Sequence, residues 1–355
     1  MKKVILTTGG TGGHIYPALS VADELAEREV EILFVGTTTR MEKDIVPESG
    51  YRFIGLDIYP IKSFMNILKM VIGIYNAVKI VLKEKPDAII GFGNYISVPV
   101  ILAGIILRKK IYLQEQNANI GGTNKFFYRF SRKLFLAFES SYDEIPNKYS
   151  SKLEVVGNPL RKNIMSISME VEREKLKLEN DEKLILITGG SLGAKDINDA
   201  VIKLWDNFYE NKKIRLYWAT GDKNYEEVIK KIDKIKANDI IKPYFNNILN
   251  IMSAADLVIC RAGALTISEI IELEKPSILV PYNSIKVGQF QNAKILQDIE
   301  AAYVYKNSEA VSALEKGLKI IGNQSILDNM RSKVKSLKKR DAAQEIADEI
   351  DIWGD

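Results

Sequence analysis

The chain has 355 residues, which is enough for two domains of ordinary size. Hydrophobic residues make up 46% and charged residues 27%, a balance that excludes intrinsic disorder. The one cysteine, Cys260, excludes a disulfide scaffold, and the one histidine, His14, excludes a histidine-rich metal centre. The net charge of +4 is too small to predict a nucleic-acid partner, and we expect none.

Short β-branched runs alternate with amphipathic stretches, which is typical of βα units around a parallel sheet. In the first half this pattern predicts strands at Lys3–Thr8, Glu31–Val35, Ala88–Gly91, Lys110–Leu113 and Lys133–Ala137. In the second half it predicts strands at Leu184–Thr188, Arg215–Ala219, Leu257–Ile259, Ser277–Val280 and Ala302–Val304. The predicted helices include Pro17–Glu27 and Thr266–Leu273. The longest apolar stretch, Ile96–Leu107, is too short to span a membrane, so we expect no spanning segment.

Two segments share one pattern, in which a strand is followed by a glycine turn and then a helix. They are Val4–Gly13 and Leu184–Gly193, and the turn in each reads Gly-Gly-(Thr/Ser)-x-Gly. This repeat predicts an α/β fold with two doubly wound, Rossmann-like domains and a cleft between them. We place the domains at residues 1–160 and 161–340. The segment 341–355 is predicted to be a C-terminal helix in a position to pack back on the first domain.

The glycine turns are candidate phosphate-binding loops, because backbone N–H groups and a helix N-terminus meet there. Neither turn carries the lysine of a Walker loop. A dinucleotide fingerprint is also incomplete, because Ile15 stands where the third glycine belongs and no acid follows the second predicted strand. ATP and NAD are therefore disfavoured as ligands. Either turn, taken alone, remains compatible with an ordinary tight βα connection.

A second polar motif, Cys260–Glu269, follows a predicted apolar strand. Backbone N–H groups from Gly263 to Thr266 can face a phosphate, and the Glu269 carboxylate can accept from both hydroxyls of a ribose. The alternative is a capping box, in which Thr266 and Glu269 only stabilise the start of a helix.

His14 follows the first glycine turn and faces the edge of the predicted sheet where ligands bind in this class of fold. Its side chain is suited to proton transfer near neutral pH, so His14 is a candidate general base. The alternative is a histidine that only bonds a neighbouring loop. The polar run Gln114–Asn117 ends another predicted strand and is a candidate binding segment. No Asp-x-Asp pair occurs, so a metal–diphosphate clamp is not expected.

Basic and apolar residues are interleaved in two segments, Lys62–Lys85 and Lys125–Lys133. The first contains five lysines and one acid, Glu84, among large apolar side chains. Such interleaving favours contact with an anionic membrane surface. The alternative is a helix that faces the core and exposes a lysine face to solvent.

Taken together, these motifs resemble the MurG family of glycosyltransferases. The resemblance runs in order from about residue 3 to about residue 350 and is carried by Gly9–Pro17, Gly91–Tyr95, Glu115–Asn117, Thr123–Lys125, Gly157–Arg161, Gly189–Ala194, Cys260–Glu269 and Gln289–Ala293. It implies the two-domain GT-B fold and transfer of N-acetylglucosamine from UDP-N-acetylglucosamine, with inversion and without a metal or other cofactor. The implied acceptor is the C4 hydroxyl of the muramyl sugar of lipid I, an undecaprenyl-diphosphate-linked lipid.

The resemblance also implies roles for individual residues. The implied catalytic residues are His14 as general base and Glu115 as its partner or alternative. The implied substrate-binding residues are Thr11, Gly12, Gly13, Asn117, Arg161, Ser191, Phe245, Ala264, Leu265, Thr266, Ile267, Ser268, Glu269 and Gln289. The first domain would hold the acceptor and the membrane, and the second would hold the UDP-sugar. The implied location is the cytoplasmic face of the cell membrane, where the protein would be peripheral.

Several positions depart from the family pattern. Gln114 stands where the family usually has histidine, Leu192 where it usually has glutamine, and Lys286–Gly288 where it usually has an acidic, histidine-containing stretch. These departures leave two alternatives open. One is a related GT-B transferase with another lipid-linked acceptor, and the other is a nucleotide-sugar binding protein without turnover.

Overall fold

The computed structural model describes residues 1–190, 193–232, 234–284 and 288–350, and it contains two compact units. One unit comprises Met1–Arg161 together with the chain from Lys339 onward, and the other comprises Lys162–Lys338. Each unit is built on a parallel sheet with helices packed against it.

The first unit contains a seven-stranded sheet in the order β3-β2-β1-β4-β5-β6-β7, with every pairing parallel. Its strands are β1 (Lys3–Thr7), β2 (Glu31–Thr37), β3 (Arg52–Leu56), β4 (Ala88–Gly91), β5 (Lys110–Glu115), β6 (Lys133–Leu136) and β7 (Leu153–Val155). Its helices are α1 (Gly12–Glu27), α2 (Glu42–Glu48), α3 (Phe64–Glu84), α4 (Asn94–Ile106) and α5 (Gly122–Phe127). The strand order reverses between β1 and β4, which is where this class of fold binds ligands.

The second unit contains a six-stranded parallel sheet in the order β10-β9-β8-β11-β12-β13. Its strands are β8 (Lys183–Thr188), β9 (Ile214–Ala219), β10 (Ile240–Lys242), β11 (Leu257–Cys260), β12 (Ser277–Leu279) and β13 (Ala302–Val304). Its helices are α6 (Met169–Lys175), α7 (Lys195–Lys203), α8 (Trp205–Glu210), α9 (Tyr225–Lys231), α10 (Ile248–Ala254), α11 (Ala264–Glu272), α12 (Gln289–Asp298), α13 (Ala310–Ile320) and α14 (Gln324–Lys335). The order reverses between β8 and β11, and both strands lead directly into candidate site segments.

The ten predicted strands are present, and the doubly wound fold is confirmed in both units. Three strands were not predicted, namely β3, β7 and β10, and each lies at an edge of its sheet. Edge strands are only partly buried, so their sequences lack the continuous apolar run that marks a central strand. The short segment Ile240–Lys242 shows this, with one of its three residues buried.

The last described helix, α15 (Ala342–Glu349), belongs to the first unit. Asp341 caps its N-terminus by accepting from the backbone N–H groups of Ala343 and Gln344. Its apolar face lies in the same buried cluster as the apolar face of α1. An ion pair between Arg28 and Asp348, at 2.7 Å, adds a contact at the rim. Residues 351–355, which include the end of the predicted helix, lie outside the described part of the chain.

Helix α3 is, within the part of the chain that the structure describes, the one helix that is long and apolar enough to cross a membrane by length and composition. It lies within the basic and apolar segment Lys62–Lys85, and its lysines interrupt the apolar run, which is why no spanning segment was expected from the sequence. One side of α3, including Met70, Gly73 and Ala77, is buried in the first unit. Because α3 connects two strands of the same sheet, it belongs to the helical layer of this unit.

Lys275 is a buried charge-bearing side chain in the core of the second unit. Its Nζ donates to the carbonyl oxygens of Ser253 and Ala255, which lie at the C-terminal end of α10. Burial lowers the pKa of Lys275 from 10.5 to about 7, because the charged form loses its hydration. The unfolded chain therefore binds more protons than the folded protein between these two values.

We predict that this lysine makes the second unit more stable as the pH rises from about 7 to about 9, since the unfolded state holds the extra proton throughout this interval. Lys275→Met removes the titrating group while keeping a long side chain. Urea unfolding should show the wild type gaining stability relative to the variant over this interval. If the difference in free energy of unfolding between the two proteins does not change with pH, Lys275 does not have the lowered pKa.

Candidate active site

His14 lies in the first turn of α1, directly after the first glycine turn. Its Nδ1 atom is 2.9 Å from the backbone oxygen of Phe92 and 2.8 Å from Oε1 of Gln116. The carboxyl ends of β4 and β5 supply these two neighbours, since Phe92 follows β4 and Gln116 follows β5. The fold thus brings together the predicted base and the polar run after β5, which are about 100 residues apart in the sequence.

The glycine turn before α1 is held by a buried carboxylate that the sequence analysis did not single out. Glu42, in the first turn of α2, is fully buried, and its Oε2 accepts from the backbone N–H of Gly10 at 2.9 Å. Its Oε1 accepts from the backbone N–H and the hydroxyl of Thr37, both at 3.0 Å. A Cβ atom on Gly9 would lie 2.3 Å from this carboxylate, so the close approach requires glycine there.

The start of α1 itself is not capped by a side chain. Thr11 occupies the capping position without a side-chain hydrogen bond, and the first turn contains no acidic residue. The backbone N–H groups of Gly12 and Gly13 precede any possible acceptor within the helix. Thr11, Gly12 and Gly13, which were predicted from the first glycine turn, therefore form a short stretch that is suited to binding an anion.

Glu115 has both carboxylate oxygens engaged by the loop that follows it. Oε1 accepts from the backbone N–H of Asn117 at 3.0 Å and from its side-chain amide at 3.2 Å. Oε2 accepts from the backbone N–H of Gly121 at 2.8 Å and from the amide of Asn124 at 2.9 Å. This arrangement favours a positioning role for Glu115, which holds Asn117 in place, over a direct role as base.

Arg161 lies at the end of the first unit, and its exposed guanidinium is 4.0 Å from the ring centre of Tyr16. Tyr16 is the fifth residue of α1, so this cation–π contact places a positive charge near the start of that helix. Tyr16 was not predicted as a site residue. The signal for it is present in the sequence, because it lies within the motif Gly9–Pro17.

In the second unit, α11 begins at Ala264, with Gly263 at the capping position and no side-chain cap. The capping-box alternative is therefore wrong, because Thr266 is already the third residue of the helix. Ala264, Leu265 and Thr266 form the uncapped first turn, which again contains no acidic residue. The remaining predicted residues of this helix, Ile267, Ser268 and Glu269, occupy its second turn, where Ser268 donates to the oxygen of Ala264.

Arg261 anchors the loop before α11. It lies within the motif Cys260–Glu269 but was not predicted as a site residue. It is buried and donates to the backbone oxygen of Val280 at 2.8 Å and to Asp196 at 3.1 Å. These bonds tie the loop after β11 to the segment after β12 and to the start of α7.

Gln289 begins α12, and its Oε1 accepts from the backbone N–H of Tyr282 at 2.8 Å. This bond orients the amide so that its NH₂ group points away from Tyr282. The ring of Phe245 is buried and lies 5.7 Å from the ring of Tyr217. Ser191, Leu192, Lys286 and Val287 lie outside the described residues. Among the residues that are described, no group of three or more His, Cys, Asp or Glu side chains is arranged to hold a metal ion.

Comparisons with known proteins agree with this organisation. The Glycosyltransferase family 28 N-terminal domain matches residues 4–136, and the Glycosyltransferase family 28 C-terminal domain matches residues 184–346. The UDP-N-acetylglucosamine--N-acetylmuramyl-(pentapeptide) pyrophosphoryl-undecaprenol N-acetylglucosamine transferase of Fusobacterium nucleatum is 58% identical, with 99% of each chain covered. The transferase of the same name from Halothermothrix orenii is 37% identical over 95% of this chain and 92% of its own.

Among solved structures, MurG of Acinetobacter baumannii superposes with a TM-score of 0.79 at 27% identity, with 98% of each chain covered. The chain belongs to the MurG family of glycosyltransferases. The family resemblance drawn from the motifs is thereby confirmed. A UDP-N-acetylglucosamine 2-epimerase from Neisseria meningitidis has a TM-score of 0.66 at 16% identity, over 97% of this chain and 98% of its own, which shows a shared fold alone.

We predict that Glu42→Met lowers the free energy of unfolding by about 2–5 kcal/mol, because the backbone N–H groups of Gly10 and Thr37 and the Thr37 hydroxyl lose their acceptor. Urea unfolding measures this loss. Glu48→Met, at the exposed end of the same helix, is the matched control and should change stability by less than about 0.5 kcal/mol. Equal stability of the two variants would show that Glu42 does not hold the turn.

Proposed function

We propose that this protein transfers N-acetylglucosamine from UDP-N-acetylglucosamine to the C4 hydroxyl of the muramyl sugar of lipid I, giving lipid II in peptidoglycan synthesis. The observation that carries the proposal is the 58% identity, over essentially the full length, to a transferase named for this reaction. The site geometry is consistent with it, because each unit has an uncapped helix start at the switch point of its sheet.

In the proposed mechanism the second unit binds the donor. The first turn of α11 faces the diphosphate with backbone N–H groups. The family resemblance also implies Ser191 and, from the first unit, Arg161 as diphosphate contacts. Glu269 accepts from the ribose hydroxyls, and the backbone at Phe245 contacts the uracil. The NH₂ group of Gln289, turned away from Tyr282, donates to a sugar hydroxyl.

The first unit supplies the proposed base. His14 takes the proton of the acceptor hydroxyl as that oxygen forms its bond to C1 of the donor sugar. The bond from C1 to the diphosphate breaks in the same displacement, so the configuration at C1 is inverted and UDP leaves with its electron pair. The family resemblance implies that Asn117, held by Glu115, contacts the donor sugar, and that the turn Thr11–Gly13 offers backbone N–H groups to an anion.

The exposed face of α3 supports a membrane-facing role for the first unit. Large apolar side chains recur on the side of the helix opposite its buried face; they are Phe64, Leu68, Val71, Tyr75 and Leu82. Lys62, Lys79, Lys83 and Lys85 of the same segment are exposed, as are Phe126 and Phe130 of the second basic segment. We propose that these side chains dock the protein on anionic lipid at the cytoplasmic face of the cell membrane.

We predict that His14→Ala lowers turnover on a short-chain lipid I analogue by about a hundredfold or more, because the acceptor proton has no base. Transfer of labelled sugar measures turnover, and calorimetry measures the affinity for UDP, which should be nearly unchanged. The reciprocal variant, Glu269→Ala, should weaken UDP binding. Near-normal turnover in His14→Ala would remove this residue from the mechanism, and no transfer by the wild type would contradict the proposed reaction.

We predict that replacing Phe64 and Val71, which are 81% and 57% exposed, by serine weakens binding to phosphatidylglycerol vesicles by about tenfold or more. Vesicle sedimentation measures this binding. Turnover on a water-soluble acceptor analogue should not change. The matched control replaces Val171 and Ile235, which are exposed apolar residues of the second unit, by serine. Equal vesicle binding by both double variants would contradict a docking role for α3.

A further inference from the structure

We propose that Gln116 is a positioning residue that holds His14 with its proton on Nδ1 and its lone pair on Nε2. It does so through a chain of side-chain amides that includes Gln114 and Asn158. This inference rests on the proposed function in one respect, namely that His14 acts as the base. The orientation of the His14 ring depends only on contacts within the first unit.

The direction of the Gln116 amide is set by its surroundings. Gln116 is 1% exposed, and its Nε2 group faces the backbone oxygen of Phe92 at 3.2 Å, the backbone oxygen of Gln114 at 3.3 Å and the side-chain oxygen of Gln114. A reversed amide would place its oxygen against three other oxygens with no proton between them, which is costly in a buried site. Oε1 of Gln116 must therefore be the atom that faces His14.

The other two amides fix this direction further. The side-chain oxygen of Gln114 accepts from Gln116, so its NH₂ group donates to Oδ1 of Asn158 at 3.1 Å. The NH₂ group of Asn158 donates in turn to the backbone oxygen of Gln116 at 3.0 Å. All three side chains are buried, so each bond in this closed chain replaces one that water would otherwise make.

The orientation of the amides determines the tautomer of the histidine. Nδ1 of His14 lies within hydrogen-bond distance of two oxygen acceptors, Oε1 of Gln116 and the backbone oxygen of Phe92. Only a protonated nitrogen can bond to either of them. A neutral imidazole carries one N–H, so the lone pair is on Nε2. Nε2 is then the atom that accepts the proton of the substrate hydroxyl.

The same chain accounts for the departure at Gln114. The MurG resemblance places histidine at this position, and a neutral imidazole offers one acceptor and one donor. The Gln114 amide also accepts from Gln116 and donates to Asn158. Glutamine at position 114 therefore keeps the donor-to-acceptor direction of the hydrogen bonds that link the three amides. The departure from histidine does not by itself indicate loss of activity.

The tautomer is directly measurable because His14 is the only histidine in the chain. In protein labelled with ¹⁵N-histidine, the two ring nitrogens give one pair of signals whose shifts distinguish the Nδ1–H form from the Nε2–H form. At a pH where His14 is neutral, the wild type should show the Nδ1–H form. The Nε2–H form in the wild type would overturn the proposal. This measurement does not depend on transfer activity, so it separates the proposal from the proposed function.

The test variant is Gln116→Met, which removes one of the two acceptors at Nδ1. We expect signals shifted toward the Nε2–H form and kcat on the lipid I analogue reduced about tenfold, with UDP affinity within about twofold of the wild type. Gln344→Met, on the exposed surface of α15, is the matched control and should change neither. A fall in kcat without a change of tautomer would show a merely structural role and overturn the proposal. A change of tautomer without a fall in kcat would overturn it as well.

Gln114→Met is a second variant that acts one bond further away. It leaves the contact between Gln116 and His14 but removes the acceptor that holds the Gln116 amide. We expect the signals to shift toward the Nε2–H form and kcat to fall, each by less than in Gln116→Met. If Gln116→Met fails to fold, this variant decides the question, and an unchanged tautomer with unchanged kcat overturns the proposal.

Discussion

Backbone N–H groups at the start of a helix have no acceptor within that helix, and the candidate site segment of each unit depends on this constraint. In each unit, such a helix follows a strand at the point where the strand order reverses. Neither α1 nor α11 satisfies its first N–H groups with a side-chain cap, and neither has an acidic residue in its first turn. Each start therefore keeps its partial positive charge available to an anionic group such as a phosphate.

Buried polar side chains keep the first of these starts in place. The Glu42 carboxylate accepts from the backbone N–H of Gly10 in the glycine turn. Glu115 holds the loop of Asn117, and the side-chain amide of Gln116 contacts His14. Each carboxylate is buried and bonded at both oxygens by donors from its own unit. The imidazole of His14 thus lies among buried groups that are already hydrogen-bonded, which holds the ring in one orientation.

The sequence was sufficient for the central strands, the two glycine turns and the family. Continuous apolar runs and glycines that end a strand are local signals, and both depend on residues that are neighbours in the chain. The edge strands β3, β7 and β10, the buried carboxylate of Glu42 and the proposed role of Gln116 could not be predicted in this way. They depend on partners far away in the sequence, since Gly10 and Glu42 are 32 residues apart and His14 and Gln116 are 102 residues apart. The start of α11 was misplaced because Thr266 and Glu269 have the spacing of a capping box.

We propose that the uncapped start of α11 binds the diphosphate of the donor. A crystal structure of the protein with UDP-N-acetylglucosamine, grown in the presence of a metal chelator, tests it most directly. We expect the diphosphate to lie against the backbone N–H groups of Ala264–Thr266, with the ribose hydroxyls bonded to the Glu269 carboxylate. A nucleotide bound away from α11, or one whose ribose does not contact Glu269, would contradict it.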